Sequence, residues 1–398
     1  MKCALYYGNK DIRLIEKDIP KISGGEVLMK VEASGICGSD VIEWYRRDKV
    51  PLVLGHEVSG VIIETGKNVK QYKAGDRICA AHHVPCNICK YCLSGHQTVC
   101  ETIRTTNFDP GGFSEYLRLP EINVKNGIYL LPDSVSFEEG TFIEPLACVV
   151  RGQRLAGVKP ADTAIVFGSG LSGLLHISLL RAAGASRIIA VDINDKRLEY
   201  AKKFGADYTF NAKDFSAGSG GGKEAERESR RHGESGLADA DGGLNLSEAV
   251  KEINEGFLAD IVILSTGADS AILQGLKSVR RGGTVLFFGA ADEGARLPLS
   301  INDIFWRTEI TLLSSYAGSI LDHRTALELI RSGRVNVKDM ITDRLPLKDI
   351  AKGFELTAKA QDSLKVIIKF QAMPLPRRRE SFFYVCPPKR INLFSFVD

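Results

Sequence analysis

Val166-Phe167-Gly168-Ser169-Gly170-Leu171-Ser172-Gly173 closes one apolar run, Thr163 to Phe167, and opens an amphipathic one, Ser172 to Ala183. Glycines spaced G-x-G-x-x-G between a strand and a helix have separate tasks. The first permits a tight turn, the second lets backbone approach a pyrophosphate, and the third lets helix and strand pack closely. The helix start then offers unpaired N–H groups to phosphate. A second apolar strand, Arg187 to Val191, ends at Asp192, 19 residues beyond Gly173, where a carboxylate can accept hydrogen bonds from ribose hydroxyls. The pattern predicts a doubly wound parallel α/β sheet of the Rossmann kind, with Gly168, Gly170, Leu171 and Gly173 as its phosphate loop. Asp192 favours NAD over NADP, because a 2′-phosphate would meet it with like charge. Arg197 pulls the other way, placed to serve an adenine face or a phosphate.

Working outward, Lys196 to Phe204 reads as a helix, and Ile261 to Ser265 and Thr284 to Phe288 as apolar strands. Strands and helices in alternation assign residues 145–316 to the dinucleotide domain. Phe288 and Gly289, at a strand end, are candidates to line a nicotinamide ring through their backbone, and Lys365 is a candidate to reach the pyrophosphate. Residues 1–144 read differently, as short strands punctuated by Gly and Pro: Val27 to Val31, Gly60 to Glu64, Arg77 to Ala80 and Phe113 to Arg118. Residues 317–370 hold one helix, Thr325 to Ser332, and one strand, Lys365 to Phe370, too little for a third domain, so they are expected to complete the first. Residues 217–243 contain eight glycines and almost no large apolar side chains, which predicts a flexible insertion. The tail 371–398 has four prolines and no period, and reads as a disordered extension.

The bulk numbers exclude several classes. A chain of 398 residues exceeds one compact core. Its 52 basic against 49 acidic residues require neither nucleic acid nor an anionic membrane as partner. No run approaches the ~18 apolar residues of a membrane span, and the start lacks the apolar segment of a signal peptide. A soluble cytoplasmic protein acting on a small molecule is expected.

Cysteine placement carries the chemistry. Cys86, Cys89, Cys92 and Cys100 have the spacing C-x2-C-x2-C-x7-C, and four thiolates this close can enclose one tetrahedral Zn²⁺ with no position left for substrate. That predicts a structural zinc in a lobe over residues 82–101. Cys37, His56 and Glu57 mix sulfur, imidazole and carboxylate, a set that can keep one position open for catalysis. His82, His83 and His96 lie close to the lobe, and with four thiolates present they read as surface or core residues.

In this order the motifs resemble the zinc-containing medium-chain dehydrogenases, especially the polyol and L-threonine dehydrogenase branch. G-H-E-x2-G-x5-G-x2-V is met by Gly55, His56, Glu57, Gly60, Gly66 and Val69; Cys37-Gly38-Ser39-Asp40, Gly111 to Tyr116, Glu144-Pro145-Leu146 and Ile341 to Arg344 follow the same order. The resemblance spans residues 1–370 apart from the insertion. It implies a mostly-β GroES-like catalytic domain, split in sequence around the Rossmann domain, with the active site in the cleft between them. It implies two zincs per chain and NAD, with Cys37 and His56 on the catalytic metal and Glu57 or Glu144 completing the shell. Asp40 would orient the His56 ring and Ser39 would relay the substrate proton. By analogy the assembly is a homotetramer.

The implied reaction is reversible oxidation of a secondary alcohol, on a polyol, sugar or cyclic polyol, to a ketone. A primary alcohol or L-threonine is the alternative substrate, and a zinc-stabilised binding module without catalysis the alternative class. Two departures from the branch stand out. Ile42 replaces the histidine that usually lets the proton exit, and only 18 residues separate Cys37 from His56.

Overall fold

A computed structural model of the chain describes residues 1–215, 245–297 and 299–370; the expected insertion and tail lie outside the described residues. Sixteen strands are described: β1 (Lys2–Gly8), β2 (Asp11–Glu16), β3 (Val27–Gly35), β4 (Leu52–Val53), β5 (Glu57–Thr65), β6 (Arg77–Ala81), β7 (Tyr116–Leu119), β8 (Ile128–Leu130), β9 (Thr163–Phe167), β10 (Arg187–Asp192), β11 (Tyr208–Asn211), β12 (Ala259–Leu264), β13 (Val279–Phe287), β14 (Thr311–Ser314), β15 (Ile341–Pro346) and β16 (Lys365–Lys369).

One sheet is entirely parallel, in the order β11-β10-β9-β12-β13-β14. β9 and most of β10 and β12 are buried along their length, which is why they read as unbroken apolar runs rather than as alternating ones. The strand order reverses between β9 and β12, opening the crevice where this class of sheet holds its ligand.

The other large sheet runs β15-β16-β3-β5-β6-β8, with β7 also on β3. β16 pairs antiparallel with β3, so the C-terminal strands complete the sheet begun by the N-terminal ones, the discontinuous arrangement expected. Register then assembles a site. Gly35 lies opposite Ile367 on one side and Glu57 on the other, and Glu57 lies opposite Ala81. Cys37, His56, His82 and Lys365 each fall within two residues of that row. Four distant segments of sequence thus meet at one end of the sheet.

Helix Ile143–Ala156 joins the two parts. It starts beside that row and buries Leu146, Ala147, Val149 and Val150 in a core shared with Val166 and Leu174. The helix expected from Thr325 begins five residues earlier, at Ile320, because Ser319 and Asp322 form a reciprocal capping box that satisfies its first amides.

Candidate metal and dinucleotide sites

The four lobe thiols are free and gathered. Cys86 Sγ is 3.5 Å from Cys100 Sγ and 3.9 Å from Cys92 Sγ, and Cys89 Sγ is 3.6 Å from Cys92 Sγ. A tetrahedron with Zn–S bonds of about 2.3 Å has edges of about 3.8 Å, whereas a disulfide needs about 2.05 Å. The thiols fit a zinc ion and not a pair of disulfides. Ile88 and Leu93 of the same lobe are mostly solvent-exposed, so the lobe has little apolar interior of its own.

At the sheet end, ligand atoms of Cys37, His56 and Glu57 lie within 4.8 Å of one another. Gly38–Val41 forms a single turn that begins at Cys37, whose Sγ accepts from the Ser39 amide and hydroxyl, both at 3.4 Å. Asp40 is fully buried. It accepts from the Cys37 amide at 3.1 Å and stands 3.4 Å from both His56 Nδ1 and Arg46 Nη2. Burial disfavours the charged form of His56, but the Asp40 carboxylate and Cys37 outweigh it and hold its pKa well above the ordinary value. A ring with one nitrogen fixed on a carboxylate turns the other outward for a metal.

Lys365 does not reach the pyrophosphate crevice. It is fully buried, ion-paired with the fully buried Glu57 and donating to the Ile36 carbonyl at 3.3 Å. Its partner is 308 residues away in sequence, so nothing local signals the pair. Gly35 makes the room for it, since a Cβ there would lie 2.3 Å from Glu57 Oε2 and 2.6 Å from Lys365 Cε. Glu57 Oε1 is buried with no hydrogen-bond partner, an orphan acceptor beside a thiol and an imidazole. That is the arrangement a cation would satisfy.

Glu144 sits apart from the three gathered ligands. It lies in the first turn of helix Ile143–Ala156, whose capping position is Phe142, and accepts from the Cys148 thiol at 3.5 Å. Burial raises its pKa, with the nearby Glu57 adding to the rise and His56 opposing it. Cys148 is pushed well up by burial and by Glu144, so it stays a thiol donor.

In the parallel sheet, Gly168 has φ +89°, and a Cβ on Gly173 would lie 1.8 Å from the Gly168 carbonyl oxygen. A Cβ on Gly170 would meet nothing within 4 Å, leaving the loop open on that side. Leu171 begins helix Leu171–Ala183, and no side chain caps its amides. Asp192 Oδ2 accepts from the Ser169 amide at 2.6 Å and Oδ1 from the Asn194 amide at 2.9 Å, so the acid is tied to the glycine loop. Arg197 approaches Asp192 at 4.0 Å and donates to the Ala360 carbonyl. Phe288 and Gly289 follow β13, both donating to the Leu264 carbonyl, while the Phe288 ring meets His176 edge-on at 4.5 Å. Besides Lys365, Arg46 and the pair His82 and His83 adjoin the site without a sequence signal that set them apart from solvated residues.

Fold and site together define an α/β protein with a dinucleotide-type loop and two gathered sets of side chains of the types that can hold a metal ion. Residues 23–132 match the alcohol dehydrogenase GroES-like domain and residues 173–332 the zinc-binding dehydrogenase domain. The chain is 33% identical over 371 residues to a protein of Aspergillus clavatus named Probable D-xylulose reductase A, covering 91% of this chain and 94% of that one. It is 32% identical over 369 residues to sorbitol dehydrogenase 1 of Saccharomyces cerevisiae, covering 90% and 95%. The crystal structure of galactitol-1-phosphate dehydrogenase from Escherichia coli superposes with TM-score 0.76 at 25% identity, covering 93% of this chain and all of that one. The chain belongs to the zinc-binding alcohol dehydrogenase family. Among the described residues no helix is long and apolar enough to cross a membrane.

Proposed function

We propose that the protein is a zinc-dependent dehydrogenase that transfers hydride reversibly from a secondary alcohol of a polyol to NAD, giving a ketone. The observation that carries this reading is the convergence of Cys37, His56 and the orphaned Glu57 oxygen at one sheet end, in a chain whose relatives include proteins named for D-xylulose and sorbitol. Cys37, His56 and Glu57 would hold a catalytic zinc, with Glu144 as the acid that exchanges for Glu57. Cys86, Cys89, Cys92 and Cys100 would hold a structural one. When bound, zinc acidifies a coordinated hydroxyl and NAD accepts the hydride.

The protein's own residues do the rest. Asp40 fixes the His56 ring, and the Ser39 hydroxyl, already bonded to Cys37, is placed to take the alcohol proton. Lys365 balances charge: a thiolate and two carboxylates oppose two charges on zinc, and a buried ammonium brings the sum to zero. A primary alcohol or L-threonine remains the rival substrate, separated by a panel of polyols, primary alcohols and L-threonine.

Asp192 is read as the acid on the ribose hydroxyls. Asp192→Ser is expected to lower kcat/KM for NAD roughly 10- to 100-fold, the scale of one or two charge-assisted hydrogen bonds, and to raise that for NADP. Steady-state rates with each cofactor check this, and an unchanged NAD to NADP ratio would remove Asp192 from the site.

A further inference from the structure

His82 and His83, expected to be surface or core residues, are hydrogen-bonded to each other beside the site. His83 Nδ1 lies 3.1 Å from the Thr106 carbonyl, which can only accept, so Nδ1 carries the proton. The neutral His83 ring then has its lone pair on Nε2, 3.2 Å from His82 Nδ1, and His82 must donate there. This fixes the second ring as well. With Nδ1 donating to His83, a neutral His82 ring has its lone pair on Nε2, an acceptor outside that hydrogen bond.

The strand register places this acceptor at the site. Glu57 lies opposite Ala81 at the end of the antiparallel pair β5–β6, so His56 and His82 are the residues next to that last pair, one on each chain segment. Their ring centroids are 6.1 Å apart. The His82 ring is held edge-on against Phe108 at 4.9 Å, and Asn123 Nδ2 donates to the Ala81 and His82 carbonyls at 2.9 and 3.0 Å. His82 is partly exposed as a residue.

Resting on the polyol reading above, we infer that His82 Nε2 accepts a hydrogen bond from a second substrate hydroxyl, next to the one that reacts, and that His83 positions it by fixing its tautomer. The substrate class narrows to vicinal diols and polyols. A lone alcohol leaves the acceptor unpaired, and a polar group built for a hydroxyl discriminates strongly against an analogue lacking it.

His82→Phe is expected to lower kcat/KM on 2,3-butanediol and sorbitol by roughly 10- to 100-fold, the scale of one unpaired hydrogen bond, leaving 2-butanol within about threefold. His82→Asn, which keeps an acceptor, should restore part of the diol rate, and His83→Leu should lose part of it. Equal losses on diol and mono-alcohol would overturn the inference. A second readout needs no turnover: in ¹⁵N-histidine-labelled, zinc-loaded protein, His82 Nε2 should resonate as an unprotonated nitrogen and shift with 2,3-butanediol but not with 2-butanol. A protonated Nε2, or no diol-specific shift, contradicts the assignment. If the wild type oxidises none of these alcohols, the dehydrogenase reading fails, while the nitrogen spectra still decide the role of His82.

Discussion

Replacing Lys365 with methionine is expected to lower stability by about 3–5 kcal/mol, the scale of removing one partner of a buried ion pair. Glu57 would remain wholly buried, with Oε1 already unpartnered and Oε2 newly so. The pair itself need add little net stability, since taking both charges from water is costly; what hurts is the uncompensated carboxylate. Two further results follow. The double variant Lys365→Met/Glu57→Gln should be more stable than Lys365→Met alone, because a neutral amide relieves the buried charge. The loss should also be smaller with zinc bound than after chelation, because the metal then compensates Glu57. Thermal unfolding with and without a chelator checks both, and purely additive losses unaffected by metal would detach Lys365 from the metal site.

Cys100→Ser is expected to have a comparably large but local effect. The lobe exposes Ile88, Leu93 and Val99 and buries little apolar side chain besides Val84 and its cysteines, so metal binding is expected to substitute for a core. In small domains held by zinc that contribution is on the order of 10 kcal/mol. Losing one of four thiolates should remove one zinc equivalent per chain and open residues 82–101 to limited proteolysis, with the parallel sheet left folded. Retention of the wild-type zinc content and protease resistance would refute the structural-zinc assignment.

The parts legible in the sequence were those encoded by short spacing. The G-x-G-x-x-G loop, the acid at the end of β10 and the C-x2-C-x2-C-x7-C lobe each lie within one strand-turn-helix unit or one loop. Local chemistry constrains them, and the fold class followed. The relations that sequence did not reveal depend on sheet register. Lys365 read as a candidate for the pyrophosphate, and only the pairing of β16 with β3, beside β5, reveals that it pairs with Glu57. His82 and His83 sat beside a saturated set of thiols and seemed surplus to it. Their meaning comes from the His82 ring standing near that of His56 and from the His83 contact with the Thr106 carbonyl. The early helix start at Ile320 was missed for a local reason, because the cap uses Asp322 where glutamate is the commoner partner.

The most direct test of the account is zinc content per chain measured together with NAD reduction on a polyol, for the wild type and for Cys37→Ala. The account predicts two zincs and NADH formation in the wild type, falling to about one zinc and no NADH in the variant, as separate four-thiolate and open catalytic sites require. A wild type with one zinc and no NAD reduction, or a variant that keeps two zincs and its turnover, would contradict it.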